Sequence, residues 1–185
     1  NEEIYYKNNL FKKNNYTINN FGHRKIENST KIIDNCIIFH GGSNIFGQSL
    51  NDNETLPFYV KSSLNNRYNV FNFGFNGYGP HQFLSKLENN YIEELSSCSN
   101  SIIIYLFIAD HIGRTAGKRS WGDKSPRYIF KDNKLIQKGF FSDFPFKIIM
   151  KLRKNFRNSR VFNIIHNVES VNKKDKQIYL SILKQ

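Results

Sequence analysis

Ser43 follows two glycines at the end of an apolar run, in the stretch Cys-Ile-Ile-Phe-His-Gly-Gly-Ser-Asn-Ile-Phe-Gly that occupies residues 36–47. A serine hydroxyl attacks acyl groups once a base takes its proton, and nearby backbone N–H groups hold the oxyanion that forms. Gly41 and Gly42 let the chain turn sharply just before that hydroxyl. Taken alone, the triplet also fits a tight turn with a capping serine. Two later stretches carry residue types the same chemistry needs. One is Asn72-Phe-Gly-Phe-Asn76-Gly77, a glycine-rich loop, and the other is Asp110-His111 with Arg114 close behind. Arg114, Arg119, Trp121 and Tyr128 form a candidate rim for a cleft, against the plainer reading of scattered surface aromatics with a structural arginine. Of the five histidines, His111 is the best internal candidate for a base. His40 and His81 read as turn and helix-start residues, and His23 and His166 have no evident place at a site. No pair of histidines has metal-ligand spacing, so no metal is expected. No cofactor is expected either. A phosphate-binding reading of Gly41-Gly42-Ser43 lacks both the Walker-type lysine and a Gly-x-Gly-x-x-Gly run.

These residues need a scaffold that brings loops together. Residues 36–39 are apolar and read as a buried strand. Thr55 is placed to cap a helix over 57–64, with Pro57 early where its missing N–H costs least. Residues 68–73 alternate and read as a second strand. A helix follows over 81–95, with Leu84, Leu87, Tyr91 and Leu95 on one face. Residues 101–107 are apolar throughout and predict a third strand, central in a parallel sheet. Strand and helix alternate, which is the doubly wound α/β pattern, and its strand-end loops converge at one sheet edge. Residues 127–138 predict a hairpin turning at Asp132-Asn133. Residues 146–156 and 174–183 read as helices, and 161–165 as a strand or a tie between them. Residues 1–30 are polar and Asn-rich, an irregular lead-in to an α/β domain over 31–185.

The motifs resemble those of the SGNH (GDSL-type) hydrolase superfamily over about half the chain, residues 16–114. Phe-His-Gly-Gly-Ser43-Asn-Ile-Phe-Gly, with Asn-Asp-Asn-Glu-Thr-Leu-Pro downstream, is similar to the family's nucleophile block. Val-Phe-Asn72-Phe-Gly-Phe-Asn-Gly77 is similar to its second block, whose glycine lends an oxyanion N–H. The resemblance implies a three-layer α/β/α fold with a parallel, flavodoxin-like sheet, incomplete at the C-terminus. It implies Ser43 as nucleophile and Ser43, Gly77 and Asp110 around the oxyanion, with His111, Asn76 and Arg114 as auxiliaries. The implied activity is that of an esterase on ester substrates, O-acetylated carbohydrates among them. The alternatives are an O-acyltransferase of the same fold and a non-catalytic domain that binds a glycan or a partner. Three positions depart from the family. Gly42 stands in place of Asp. Asp110 stands in place of an oxyanion Asn, and an ionised carboxylate has no proton to donate. The family's Asp-x-x-His block has no match, which implies a base beyond Gln185 and little activity in these residues alone. By the same resemblance the parent protein is extracytoplasmic or membrane-anchored.

Composition narrows the classes further. The chain has 185 residues, 39% hydrophobic and 15% aromatic, enough for one domain with a core. It has no apolar run long enough to span a membrane. The net charge is +12, but lysine is spread among asparagines rather than clustered. The densest basic stretch, Lys147, Lys151, Arg153, Lys154, Arg157 and Arg160, falls on a helix-like segment. It reads as a solvated face, with an anionic lipid or polysaccharide surface as the minor alternative. No aromatic–basic motif supports nucleic acid. With only two cysteines, Cys36 and Cys98, no disulfide framework or metal box is expected, and Cys36 reads as a small core residue.

Overall fold

The computed structural model describes residues 2–6, 9–28, 33–65, 67–90, 95–119, 121–156, 159 and 171–185. The chain divides into two units, Asn1–Asn76 with Ile92–Leu106, and Gly77–Tyr91 with Phe107–Gln185.

The first unit opens with a hairpin of β1 (Glu2–Tyr6) and β2 (Asn9–Asn14), antiparallel with a register shift at Ile4/Tyr5. The lead-in is therefore not irregular throughout. Ile4-Tyr5-Tyr6 and Leu10-Phe11 supply the branched and aromatic residues that favour strands. The centre of the unit is β3 (Asn35–His40), which pairs in parallel with β4 (Asn69–Asn72) on one side and β5 (Asn100–Tyr105) on the other. From Cys36 to His40 every residue is buried, as a strand flanked by two others requires. Ile37, Phe39, Ile45 and Val70 form its core cluster, with Ile26, Val60, Leu64 and Tyr68 packed against it. Between β3 and β4 lie a four-residue helix α1 (Ser43–Phe46), a 3₁₀ turn at Asp52–Glu54, and α2 (Leu56–Ser63). Thr55 caps α2 as the sequence predicts, its Oγ1 accepting from the Phe58 N–H at 3.3 Å, with Pro57 in the first turn.

Two expectations for this unit are corrected. Among the described residues β5 is an edge strand rather than central, and Ile102, Ile103 and Ile104 are 51%, 52% and 37% exposed. Apolar composition marks a strand as buried but does not say how many neighbours bury it. The second correction is that Cys36 and Cys98 are joined in a disulfide, with Cα atoms 5.7 Å apart. Cys36 is nonetheless fully buried, as expected of a core residue.

In the second unit α3 (Pro80–Glu88) and α6 (Lys173–Ile182) pack with a two-stranded sheet of β6 (Pro126–Lys131) and β7 (Lys134–Phe140). Leu84, Tyr128, Ile178 and Ile182 form the buried cluster. The β6–β7 loop is the predicted two-residue turn, with φ of 50° at Asp132 and 59° at Asn133. Positive φ at both positions is what a type I′ hairpin demands. α3 ends at Glu88, well short of 95. Asn90 takes a φ of 56°, a left-handed conformation that asparagine tolerates and that stops a helix. Leu87 is 38% exposed, and Tyr91 lies outside the described residues. α4 (Asp110–Thr115) follows β5 in sequence, and α5 (Phe146–Phe156) follows β7. Apolar residues of α5 are in part exposed, Ile149 by 41% and Phe156 by 47%. Phe146, by contrast, receives the Arg127 guanidinium at 4.2 Å from its ring centre. The predicted strand or tie over 161–165, and His166, lie outside the described residues.

Candidate functional site

Ser43 is the first residue of α1, reached directly from the carboxyl end of the central strand. Gly42 is extended there, and its carbonyl accepts from the N–H groups of Ile45 at 3.2 Å and Phe46 at 3.1 Å. The Ser43 carbonyl in turn accepts from Gly47 at 2.9 Å and Gln48 at 3.0 Å. Ser43 is half-buried.

Two glycines make this turn possible by close approach. A Cβ at Gly41 would stand 2.8 Å from the Ile45 Cγ1, and one at Gly74 would stand 2.5 Å from the Phe46 nitrogen and 2.6 Å from the Ile45 Cγ2. Gly74 therefore serves backbone shape. Asn72 ties the second block to the first. Its Nδ2 donates to the Ile45 carbonyl at 2.9 Å and its Oδ1 accepts from the Gly74 N–H at 3.0 Å, with the side chain almost wholly buried. His40 ends β3, is buried, and stacks on Tyr105 with ring centres 5.5 Å apart. His23, which the sequence left unplaced, lies buried with its ring centre 4.0 Å from that of Phe73. Asn76 is exposed. A cavity of about 430 Å³ between the lead-in and α2, lined by Thr17, Asp52, Phe58 and Lys61, does not include Ser43.

The second unit holds Gly77, Asp110, His111 and Arg114. Gly77 has a φ of 81°, which favours glycine, and a Cβ on it would stand 3.3 Å from the Trp121 indole. Trp121 is 58% exposed, so an apolar ring flanks this backbone and still faces water. Asp110 is held by two arginines. Its Oδ2 accepts from the Arg114 Nε at 2.6 Å, and its Oδ1 from the Arg119 Nε at 2.5 Å and also from Arg119 Nη2. Arg114 further donates to the Tyr78 carbonyl at 2.8 Å. Burial pushes the Asp110 carboxyl up, but the hydrogen bonds from Arg119 and Arg114, reinforced by their charges, outweigh it and hold it below the usual range. Asp110 is thus ionised, both oxygens accept, and it has no proton to lend an oxyanion.

His111 is almost wholly buried, its Nδ1 3.5 Å from the Ile108 nitrogen. Burial, and then the charge of Arg114, push its imidazole down to about 4 against the opposing pull of Asp110. It is neutral at pH 7, and its basicity is weak. His81 is buried, with Nδ1 3.3 Å from the Thr115 hydroxyl, which itself donates to the His111 carbonyl at 2.9 Å. The proposed aromatic rim is corrected at one position. Tyr128 is 3% exposed and donates to the Glu88 carboxylate at 2.6 Å, so it belongs to the core. Among the described residues no group of three or more His, Cys, Asp or Glu is placed to hold a metal ion, and no helix is long and apolar enough to cross a membrane.

The residue that sequence reasoning missed is Arg24. Its guanidinium is fully buried against the turn that follows Ser43. The only signal in the sequence is an arginine next to Asn20-Phe21-Gly22-His23, inside a lead-in that otherwise reads as polar. No protein-family model matches the chain, and no curated protein matches it.

Proposed function

We propose that the chain is the nucleophile-bearing part of a serine ester hydrolase of SGNH type, acting on ester substrates that include O-acetylated carbohydrates. The observation that carries this reading is the setting of Ser43. It stands at the carboxyl end of the central strand of a parallel sheet, half-exposed, in a turn whose tightness depends on Gly41 and Gly74. In this reading the Ser43 oxygen attacks the ester carbonyl and gives its proton to a base. The carbonyl oxygen becomes an oxyanion, for which the resemblance assigns the N–H groups of Ser43 and Gly77. Collapse breaks the ester C–O bond, the alcohol leaves with a proton from the base, and water then cleaves the acyl-serine. An Asp-x-x-His block to supply the base has no match in the 185 residues.

A second reading, a non-catalytic domain of the same fold that binds a glycan or a partner, is favoured by Asp110. An arginine-clamped carboxylate at the position of an oxyanion donor works against catalysis. One experiment separates the two. The protein in its full reading frame is incubated with a fluorophosphonate probe and digested for mass spectrometry. An esterase carries the adduct on Ser43 and loses it in Ser43→Ala. A protein left unlabelled at Ser43 is a binding domain.

A further inference from the structure

Arg24 comes from the lead-in, yet its guanidinium hydrogen-bonds to the segment after Ser43. Its Nη1 donates to the carbonyls of Phe46 at 2.9 Å and Gly47 at 2.7 Å, and its Nη2 to the Leu50 carbonyl at 2.7 Å. Its Nε donates to the Asp52 carboxylate at 3.1 Å. The guanidinium carbon lies 5.0 Å from the ring centre of Tyr16 and 5.3 Å from that of Phe46, two rings that also meet edge to face. The side chain is 0% exposed. A buried arginine is costly unless its donors are met. Here four donors are met, three of them by main-chain carbonyls.

Those carbonyls define the role. A helix of one turn has no stability of its own, and its last carbonyls have no partner inside it. For α1 these groups are taken from outside: Asn72 donates to Ile45, and Arg24 to Phe46 and Gly47. Arg24 is also bridged to Asn72 through the main chain. Gly47, at a φ of 77°, is the left-handed residue that ends the turn, and a Cβ on it would stand 3.2 Å from the Arg24 Nη1. The Asp52 end is anchored separately, since its carboxylate also accepts from the Thr17 N–H and hydroxyl. The lead-in therefore supplies a planar fork that fixes the far end of the turn whose first residue is Ser43.

We infer that Arg24 is a positioning residue that sets the conformation of the Ser43 turn. Its consequence for catalysis rests on the esterase reading above; its effect on the turn does not. A lysine cannot replace it, because one ammonium on a flexible stem cannot span Phe46, Gly47, Leu50 and Asp52 together.

The test compares wild type, Arg24→Lys, Arg24→Gln and Ser43→Ala in the full-length protein, each below its own unfolding temperature. Hydrogen exchange is read at the Gly47 and Gln48 amides, which donate to the Ser43 carbonyl, with the amides of β3 as reference. The expected result for both Arg24 variants is loss of protection at Gly47 and Gln48 with β3 unchanged. The fluorophosphonate labelling rate and kcat for p-nitrophenyl acetate are expected to fall about 10²-fold with KM within twofold, the size of effect a misplaced reacting group produces. Added guanidinium is expected to restore part of the rate in an Arg24→Ala variant, which a purely stabilising role would not give. Unchanged exchange at Gly47 and Gln48 in Arg24→Gln overturns the inference. If wild type is not labelled at Ser43, the esterase reading falls, and the exchange comparison still decides the role of Arg24.

Discussion

Removing the cross-link between Cys36 and Cys98 by Cys98→Ala gives a perturbation whose size the structure sets. The bond joins the first residues of β3 to the residues just before β5, across a sequence separation of 62. Closing a loop of that length removes chain entropy from the unfolded state worth about 4 kcal/mol. The alanine leaves the buried Cys36 side chain in place, so little packing is lost with the bond. Against a total stability of roughly 5–15 kcal/mol, that is a large share. For a chain of this size it lowers the thermal midpoint by about 8–16 °C. The assay is thermal unfolding followed by circular dichroism, for wild type with and without dithiothreitol and for Cys98→Ala, with a thiol count under denaturing conditions. Reduced wild type should melt alongside the variant, and oxidised wild type should show no free thiol. Two free thiols in the non-reduced protein, or a midpoint that reductant leaves within about 2 °C, refutes the reasoning. A confirmed bond also points to folding in an oxidising compartment.

Two further outcomes follow from side chains described above. His111 is held neutral with a pKa of about 4 in the folded protein, against about 6.5 unfolded. The unfolded chain therefore binds the extra proton first, so the stability tied to neutral His111 is whole above pH 6.5 and is lost as pH falls toward 4. The loss is on the order of 3 kcal/mol. Denaturant titrations between pH 7 and 4 should show a shallower decline for His111→Asn than for wild type. Gly74→Ala forces a methyl to within 2.5–2.6 Å of Phe46 and Ile45. It should cost at least about 2 kcal/mol by urea unfolding and slow Ser43 labelling, whereas Gly122→Ala, where the nearest atom is 3.5 Å away, should leave both close to wild type.

What could be read from sequence divides by range. Features set by neighbours along the chain were legible. Thr55 with Pro57 marks a helix start, Asp132-Asn133 a two-residue hairpin turn, and Cys36 through Phe39 a buried strand. Features set by distant partners were not. The isoleucines of β5 report affinity for an interior but not which sheet edge they occupy. Two cysteines 62 residues apart carry no pairing information of their own. Arg24 acts on main-chain carbonyls, which every residue has, so no side-chain pattern betrays its target. Tyr128 looks like a rim residue until Glu88 is seen to meet its hydroxyl. For the candidate site, the sequence offers the Ser43 and Asn72 stretches, which the hydrogen bond from Asn72 to the Ile45 carbonyl brings together, but gives no sign of the arginine clamp on Asp110.

The apolar run of β5 and the residues after it, Ile102-Ile103-Ile104-Tyr105-Leu106-Phe107, has a consequence for the unfolded and partly opened chain. It has no charge and no proline, and it is built of residues that favour extended backbone, the composition of a cross-β segment. In the folded protein β3 covers one side of the strand, while its three isoleucines remain between one-third and about half exposed. Downstream in sequence the first charge is Asp110, already committed to two arginines. Self-association through this run rises with concentration, whereas unfolding of a single chain does not. Loss of soluble protein on warming is therefore expected to speed up with protein concentration, which light scattering at two concentrations checks.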